Sequence, residues 1–220
     1  MATRIPQNHA TFTVTELLAS TGGALVRGGE ARATSISTNT RELVPGAAFL
    51  ALRGPTHDGH AYLGAAAAAG ASVAIVEQDV DAPEGMAIVR VPSTLRALGD
   101  LARTHVQRWH AAGDRTLIGI TGSAGKTTTR VATAALVESL FPGRVVATRG
   151  NLNNRIGVPM MLFSLEAEHR ACVVELGTSE PGEIAELCRM AQPDVGILTL
   201  VAAGSPRPSA QRALPTSAGG

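Results

Sequence analysis

The segment Gly119-Ile120-Thr121-Gly122-Ser123-Ala124-Gly125-Lys126-Thr127-Thr128 constrains this chain more than any other stretch, because a buried strand, a glycine turn and a helix must follow one another across it. Residues 116–121 form an apolar run that reads as a strand, and residues 126–140 read as a helix. Between them, Gly122 and Gly125 permit backbone conformations that turn successive N–H groups inward beside the positive end of the helix. Such a turn is a phosphate loop. Gly122, Ser123, Ala124, Gly125, Lys126, Thr127 and Thr128 would cradle the phosphates of ATP, with Lys126 reaching the terminal ones and Thr127 ligating Mg2+. The strict six-position spacing is not kept, since Ile120 stands where its first glycine would be. A glycine turn that only caps a helix is the competing reading, and the strand ahead of it and the lysine inside it weigh against that.

That lysine carries its own argument. The chain has nineteen basic residues, and Lys126 is the only one that is not arginine. If arginine serves wherever either cation will do, the surviving lysine marks a place that needs a compact ammonium rather than a planar fork. A net charge of +1 offers no broad attraction for nucleic acid or an anionic lipid surface, so any anion must be bound locally, and neither kind of partner is expected. Apolar stretches such as 65–69 and 171–174 fall far short of the roughly 20 residues that a membrane span needs. No apolar segment of a secretory signal precedes Glu16, so a cytoplasmic enzyme is expected. Cys172 and Cys188 have no second ligand pair nearby and read as ordinary buried thiols.

At 220 residues and 45% hydrophobic content the chain can bury one large core or two small ones. Two α/β domains are expected: a mixed α/β substrate domain over 1–112, then a partial parallel-sheet ATP-binding domain over 113–201. Thr13-Val14-Thr15-Glu16 has the form of a capping box that opens a helix ending at Gly22-Gly23. Strands are expected at 33–38, 47–52, 72–77 and 86–91, with helices at 59–69 and from 92 to 109, and a linker at 111–114. The second part alternates strand 116–121, helix 126–140, strand 144–148, helix 157–165, strand 170–176, helix 181–191 and strand 195–200. Its strands are continuous Val, Ile and Leu runs, as in a parallel sheet covered on both faces. Residues 202–220 are rich in Ala, Gly, Ser, Pro and Arg, and are expected to stay disordered because they bury too little apolar surface.

Several side chains outside the loop are candidates on chemical grounds. Glu175 ends an apolar strand at its carboxyl edge, where its carboxylate would hold Mg2+ directly or through water. Asn151, Asn153 and Asn154 are either turn residues or amides that orient a substrate, and both readings stay open. Arg41 would meet a nucleotide phosphate or form a salt bridge. His57 and His60 are weaker candidates, since a His after Asp-Gly commonly completes a turn or caps a helix. Trp109 and Met160-Met161 read as packing residues.

The loop resembles the shortened TGxxGKTT phosphate loop of the Mur ligase superfamily, whose members join amino acids to UDP-muramoyl precursors and related folate substrates. Gly150-Asn151-Leu152-Asn153-Asn154-Arg155-Ile156-Gly157-Val158-Pro159, Val174-Glu175-Leu176-Gly177, Pro181-Gly182-Glu183-Ile184 and Pro193-Asp194-Val195 resemble, in order and spacing, the branch that adds D-Ala-D-Ala to UDP-MurNAc-tripeptide. Thr38-Asn39-Thr40-Arg41, Pro45-Gly46 and Asp58-Gly59-His60 are similar to that branch's uridine-nucleotide domain. The resemblance implies a monomeric ligase in which ATP phosphorylates the tripeptide carboxylate and the dipeptide amine attacks the acyl phosphate. It implies catalytic roles for Lys126 and Glu175, metal roles for Thr127 and Glu175, and substrate contacts from Thr40, Arg41, His60, Asn151, Asn153 and Asn154. The branch that adds the third amino acid and the folate-type relatives are the alternatives within the enzyme class, and the Gly150 to Asn154 run argues against both. A non-catalytic nucleotide-binding remnant is the alternative outside it.

The chain departs from the family pattern at Ala124, where Asn is usual, and at Asn39, where Asp is common. After Thr199-Leu200-Val201 the family pattern continues with a metal-binding His segment, a lysine that becomes carbamylated and a C-terminal amino-acid-binding domain. With Lys126 the only lysine, a carbamate-bridged second metal site cannot be built from these residues. The tail reads as a frameshift, a premature stop or a partial gene model, and the expectation for the chain alone is weak nucleotide binding without ligase turnover.

Overall fold

A computed structural model describes residues 5–54, 57–81, 83–177 and 179–202, so the expectation for the tail lies outside the described residues apart from Ala202. A short strand, β1 (Phe12–Thr13), runs directly into α1 (Val14–Thr21). The capping box forms as its sequence requires: Thr13 Oγ1 accepts from Glu16 N at 3.2 Å, and Glu16 Oε2 accepts from Thr13 N at 2.8 Å. Gly22, at φ 65°, closes the helix in the left-handed conformation.

The chain then builds a five-stranded sheet. It comprises β2 (Ala24–Arg27), β4 (Ile36–Ser37), β5 (Ala48–Leu50), β6 (Val73–Val76) and β7 (Ala87–Arg90), while β3 (Arg32–Ala33) pairs with β1 instead. The order is β2-β7-β6-β5-β4, with the last four strands parallel and β2 antiparallel at the edge. The single strand expected at 33–38 is thus two, split between two sheets. Asn8 explains part of this: its amide donates to Ile36 O and accepts from Ile36 N, both at 2.9 Å, so a side chain takes the place of a neighbouring strand. The helix expected at 59–69 is also divided, into a 3-10 turn (Gly59–Tyr62) capped by Asp58 and α2 (Leu63–Ala68). Gly59 is required there, because a Cβ would lie 2.7 Å from the Ala51 carbonyl carbon.

Ser93 caps α3 (Thr94–Ala111), which runs two residues beyond the expected end at Trp109 and into the expected linker. Its buried residues include Ala97, Leu98, Leu101, Ala102, Val106 and Trp109. They touch α1 on one side, and on the other α5 (Gly157–Leu162) and α6 (Glu183–Ala191) of the second sheet unit. Gly99 is seated so closely on α6 that a Cβ would stand 2.7 Å from Met190 Cε. One apolar core therefore runs without a break from Phe12 through α3 to Phe163, Leu187 and Ala191. Trp109, Met160 and Met161 belong to it, as packing residues should. Arg115 ties down the linker by donating to Trp109 O at 2.6 Å and Ala167 O at 2.8 Å while lying over the Trp109 ring.

The second sheet consists of β8 (Thr116–Thr121), β9 (Val145–Ala147), β10 (Ala171–Glu175) and β11 (Val195–Leu198), all parallel, in the order β11-β8-β10-β9. One face carries α4 (Lys126–Leu140) over Ile120, Ala171 and Val173; the other carries α5 and α6 over Leu117, Cys172 and Val174. Both faces are covered, which is why these strands lack polar alternation. Burial pushes the Cys172 thiol up to about 12, in keeping with an inert core thiol. No described helix is long and apolar enough to cross a membrane.

Two outcomes follow from this packing. Phe163 is fully buried and meets Phe12 edge-on at 6.5 Å, so Phe163→Ala should cost roughly 3–5 kcal/mol. Calorimetry of that variant should still show one transition, because the two sheets share the core; two separate transitions would contradict the continuity. Glu16 gives the second outcome. The Thr13 backbone N–H holds its carboxyl below the ordinary range, so its contribution is present above the unfolded value and fades as pH falls through the folded one. Glu16→Gln should flatten that acid limb in a series of urea titrations.

Candidate nucleotide-binding site

The phosphate loop lies where β8 hands over to α4, at the carboxyl edge of the parallel sheet. Gly122 (φ 143°) and Gly125 (φ 83°) both adopt backbone angles that L side chains rarely take, so neither position tolerates a larger residue without strain. Gly125 serves as the helix N-cap, and the first turn of α4 contains Lys126, Thr127 and Thr128, whose N–H groups lie at the positive helix end. Lys126 Nζ folds back over the loop and donates to Gly122 O at 2.5 Å. Ser123 N donates to Leu200 O at 2.8 Å, and Ala124 bridges Leu200 across the loop. The loop residues expected from the motif are thus gathered in one turn.

Beneath that turn lies Glu175, 3% exposed, at the end of β10. A carboxylate so buried needs donors on both oxygens. Thr127 Oγ1 donates to Oε2 at 3.0 Å and Arg130 Nε to the same oxygen at 3.3 Å, while Asn153 Nδ2 donates to Oε1 at 2.9 Å. Arg130 also donates to Thr148 O, and Thr148 Oγ1 accepts from Glu175 N at 2.9 Å. The two residues expected to hold a metal are therefore in direct contact. Arg130 and Thr148 were not expected at the site. The signal for Arg130 was available: it is three residues after Thr127, which puts both on one face of α4.

The three asparagines separate. Asn153 points into the site and is locked by its own carbonyl, which accepts from Gly177 N at 2.7 Å. Asn154 Oδ1 accepts from Ile156 N at 3.1 Å and Gly157 N at 2.8 Å, the local turn that opens α5. Asn151 stands exposed on the loop. Arg155 fastens that loop to the α6 region through Glu180 at 2.8 Å and Glu186 at 2.5 Å.

In the first unit, Thr40 and Arg41 line a cleft of about 430 Å³ with Phe49, His57, Tyr62 and Ile156. Ile156 comes from the second unit, so the cleft opens between the two. His60, expected to bind substrate, does not line it. Its side chain is 5% exposed, with Nδ1 2.5 Å from Asp58 Oδ1 and Nε2 accepting from Glu77 N at 2.9 Å. Both ring nitrogens hold the turn after β5 to the end of β6, and of the two candidate histidines it is His57 that lines the cleft. Among the described residues no group of three or more His, Cys, Asp or Glu side chains could hold a metal by itself.

A glycine loop with its lysine and threonine, set against a buried carboxylate at the edge of a parallel sheet, places the second unit among the phosphate-loop nucleotide-binding domains. Residues 120–203 match the Mur ligase middle domain, and residues 32–106 match the catalytic domain of the Mur ligase family. The chain belongs to the Mur ligase family. It is 40% identical over 171 residues to the UDP-N-acetylmuramoyl-tripeptide–D-alanyl-D-alanine ligase of Synechocystis sp., a match covering 77% of this chain and 36% of that one. A crystal structure of MurF from Acinetobacter baumannii superposes with a TM-score of 0.77 at 36% identity, over 86% of this chain and 40% of that one. MurF ligase from Thermotoga maritima, solved in complex with ADP, gives 0.66 at 32% identity, over 75% of this chain and 37% of that one. The chain spans well under half the length of each of these relatives.

Removing Arg130 tests the charge balance of the site. Its side chain is 13% exposed against 4% for that of Glu175, so Arg130→Met strands a buried charge and should lower stability by roughly 3 kcal/mol in urea unfolding. Arg130→Lys should recover only part of this, since an ammonium cannot reach Glu175 and Thr148 O as a fork does.

Proposed function

We propose that residues 122–128 bind ATP, and that this chain is the ATP-binding and UDP-sugar-binding portion of a cytoplasmic, monomeric ligase of peptidoglycan-precursor synthesis. The reaction is the joining of D-Ala-D-Ala to UDP-MurNAc-tripeptide. The observation that carries the reading is the contact of Thr127 with Glu175 directly beneath a loop whose ammonium belongs to Lys126. The identity with D-alanyl-D-alanine-adding ligases supports the choice of substrates. In domain terms, residues 1–112 take the UDP-sugar and residues 113–201 take the nucleotide.

In this reading the tripeptide carboxylate attacks the γ-phosphorus of ATP, ADP leaves, and the amine of D-Ala-D-Ala then displaces phosphate from the acyl phosphate. The protein contributes position and charge. Lys126 exchanges its Gly122 carbonyl for the terminal phosphates, and the first-turn N–H groups of α4 take the others. A donor of this kind is typically worth about 3–4 kcal/mol of barrier. The oxygens of Thr127 and Glu175, 3.0 Å apart, are the hard donors that Mg2+ prefers. Thr127 would hold the ion directly and Glu175 through water, since Arg130 already shares the Glu175 oxygen that faces Thr127. When bound, Mg2+ neutralises charge on the phosphates. Asn153 and Arg130 hold the carboxylate in place, and Thr40 and Arg41 at the cleft receive the uridine-nucleotide portion of the acceptor.

The lone lysine makes a clean test possible. An acyl-phosphate derivative of ATP, which acylates a lysine beside a bound nucleotide, should modify Lys126, and peptide mass spectrometry locates the adduct. Excess Mg-ATP should suppress the labelling, and Lys126→Met should abolish both the adduct and Mg-ATP binding by calorimetry. Labelling of Lys126 that excess Mg-ATP leaves untouched would sink the ATP assignment. ATP binding with no phosphate release in any substrate mixture would favour a binding module over a ligase.

A further inference from the structure

Thr199 follows β11 directly and meets the phosphate loop at Thr121 and Ala124. Its N–H donates to Thr121 O at 2.9 Å, which extends the β11–β8 pairing onto the start of the loop. Its hydroxyl oxygen lies 2.7 Å from Ala124 O and 3.1 Å from Thr121 O. A hydroxyl has one proton to give, and Thr121 O already has the N–H, so the shorter contact to Ala124 O takes it. Gly122 makes room for this arrangement, since a Cβ there would lie 2.1 Å from Thr199 Oγ1.

The consequence lies in the next peptide. No peptide bond in the described chain is cis, so the Ala124 C=O and the Gly125 N–H of one planar unit point in opposite directions. Holding Ala124 O against Thr199 therefore turns the Gly125 N–H away from Thr199. Among the described residues no acceptor takes that N–H. The neighbouring Ser123 N–H is treated differently, being used up on Leu200 O. The segment after β11 thus sorts the loop's donors, committing one to the protein and leaving another for a ligand.

We propose that Thr199 is a positioning residue of the phosphate loop, whose hydroxyl fixes the Ala124–Gly125 peptide so that the Gly125 N–H meets a phosphate oxygen of ATP. This rests on the ATP reading above and goes beyond it by naming a residue outside the loop motif. Thr199→Val keeps the shape and loses the proton; Thr199→Ser keeps the proton. Calorimetry with Mg-ATP on the full chain should show affinity about tenfold weaker for Thr199→Val, the size of one lost hydrogen bond, and within about twofold of the parent for Thr199→Ser. Melting by circular dichroism should separate this from unfolding, and Thr199→Ala is the substitute if the valine variant does not fold. Parent-like affinity in Thr199→Val overturns the proposal while leaving the ATP reading intact, because Lys126→Met tests that reading separately. If the parent binds no Mg-ATP, the ATP reading falls, and the Gly125 amide resonance decides the positioning claim. That resonance should move in Thr199→Val and return in Thr199→Ser; a resonance indifferent to both variants overturns it.

Discussion

A carboxylate buried to the extent of Glu175 must be matched on every side, and most of the local architecture of the second sheet unit answers that demand. Its donors come from α4, through Thr127 and Arg130, and from the loop after β9, through Asn153; Thr148 at the end of β9 steadies both its backbone and Arg130. Two segments distant in sequence, residues 127–130 and 148–153, are therefore held together at Glu175. Low local polarity strengthens each of these contacts and makes the loss of any one expensive. The phosphate loop inherits its footing from this arrangement, because α4 can sit in only one position if both of its polar residues are to reach Glu175.

The same economy governs the relation between the two sheets. α3 grows from the first sheet yet presents its apolar stripe to α1, α5 and α6, so the linker after it has little freedom, and Arg115 removes most of what is left. The cleft containing Thr40 and Arg41 borrows Ile156 from the loop that opens α5, and Asn153 in that same loop bonds to Glu175. The cleft and the glycine loop are thereby joined through a few residues of one segment.

Much of this was legible in the residues themselves, for identifiable reasons. The strands of the second sheet stand out because they are apolar throughout, and the loop because glycine, lysine and threonine have fixed duties there. The exposed strand Ala24–Arg27 escaped notice since it buries no face and so has no pattern. Periodicity also missed the break between Ala33 and Ile36, because it is enforced by an amide 28 residues away. At the site, Thr127 and Glu175 were singled out by position and lie in contact, whereas Thr148 completes the surroundings of another residue, a role without a local motif, and Arg130 is marked only by its spacing from Thr127 on α4. The placement of His60 was not legible for a related reason: its spacing from Asp58 suits a ligand contact and a turn equally, and its bond to the distant backbone of Glu77 carries no local pattern.

The folded-back ammonium of Lys126 changes how capture of an anion should be pictured. The cation is not waiting in water for a partner but already rests on a carbonyl dipole of its own turn. Under the proposed ATP reading, arrival of a nucleotide would be a substitution, one oxygen replacing another around the same nitrogen, and the affinity would reflect the difference between the two rather than the full attraction of a naked charge. On the proposed ATP reading, a polyphosphate, with its concentrated negative charge, is the kind of ligand suited to drawing the ammonium off that carbonyl.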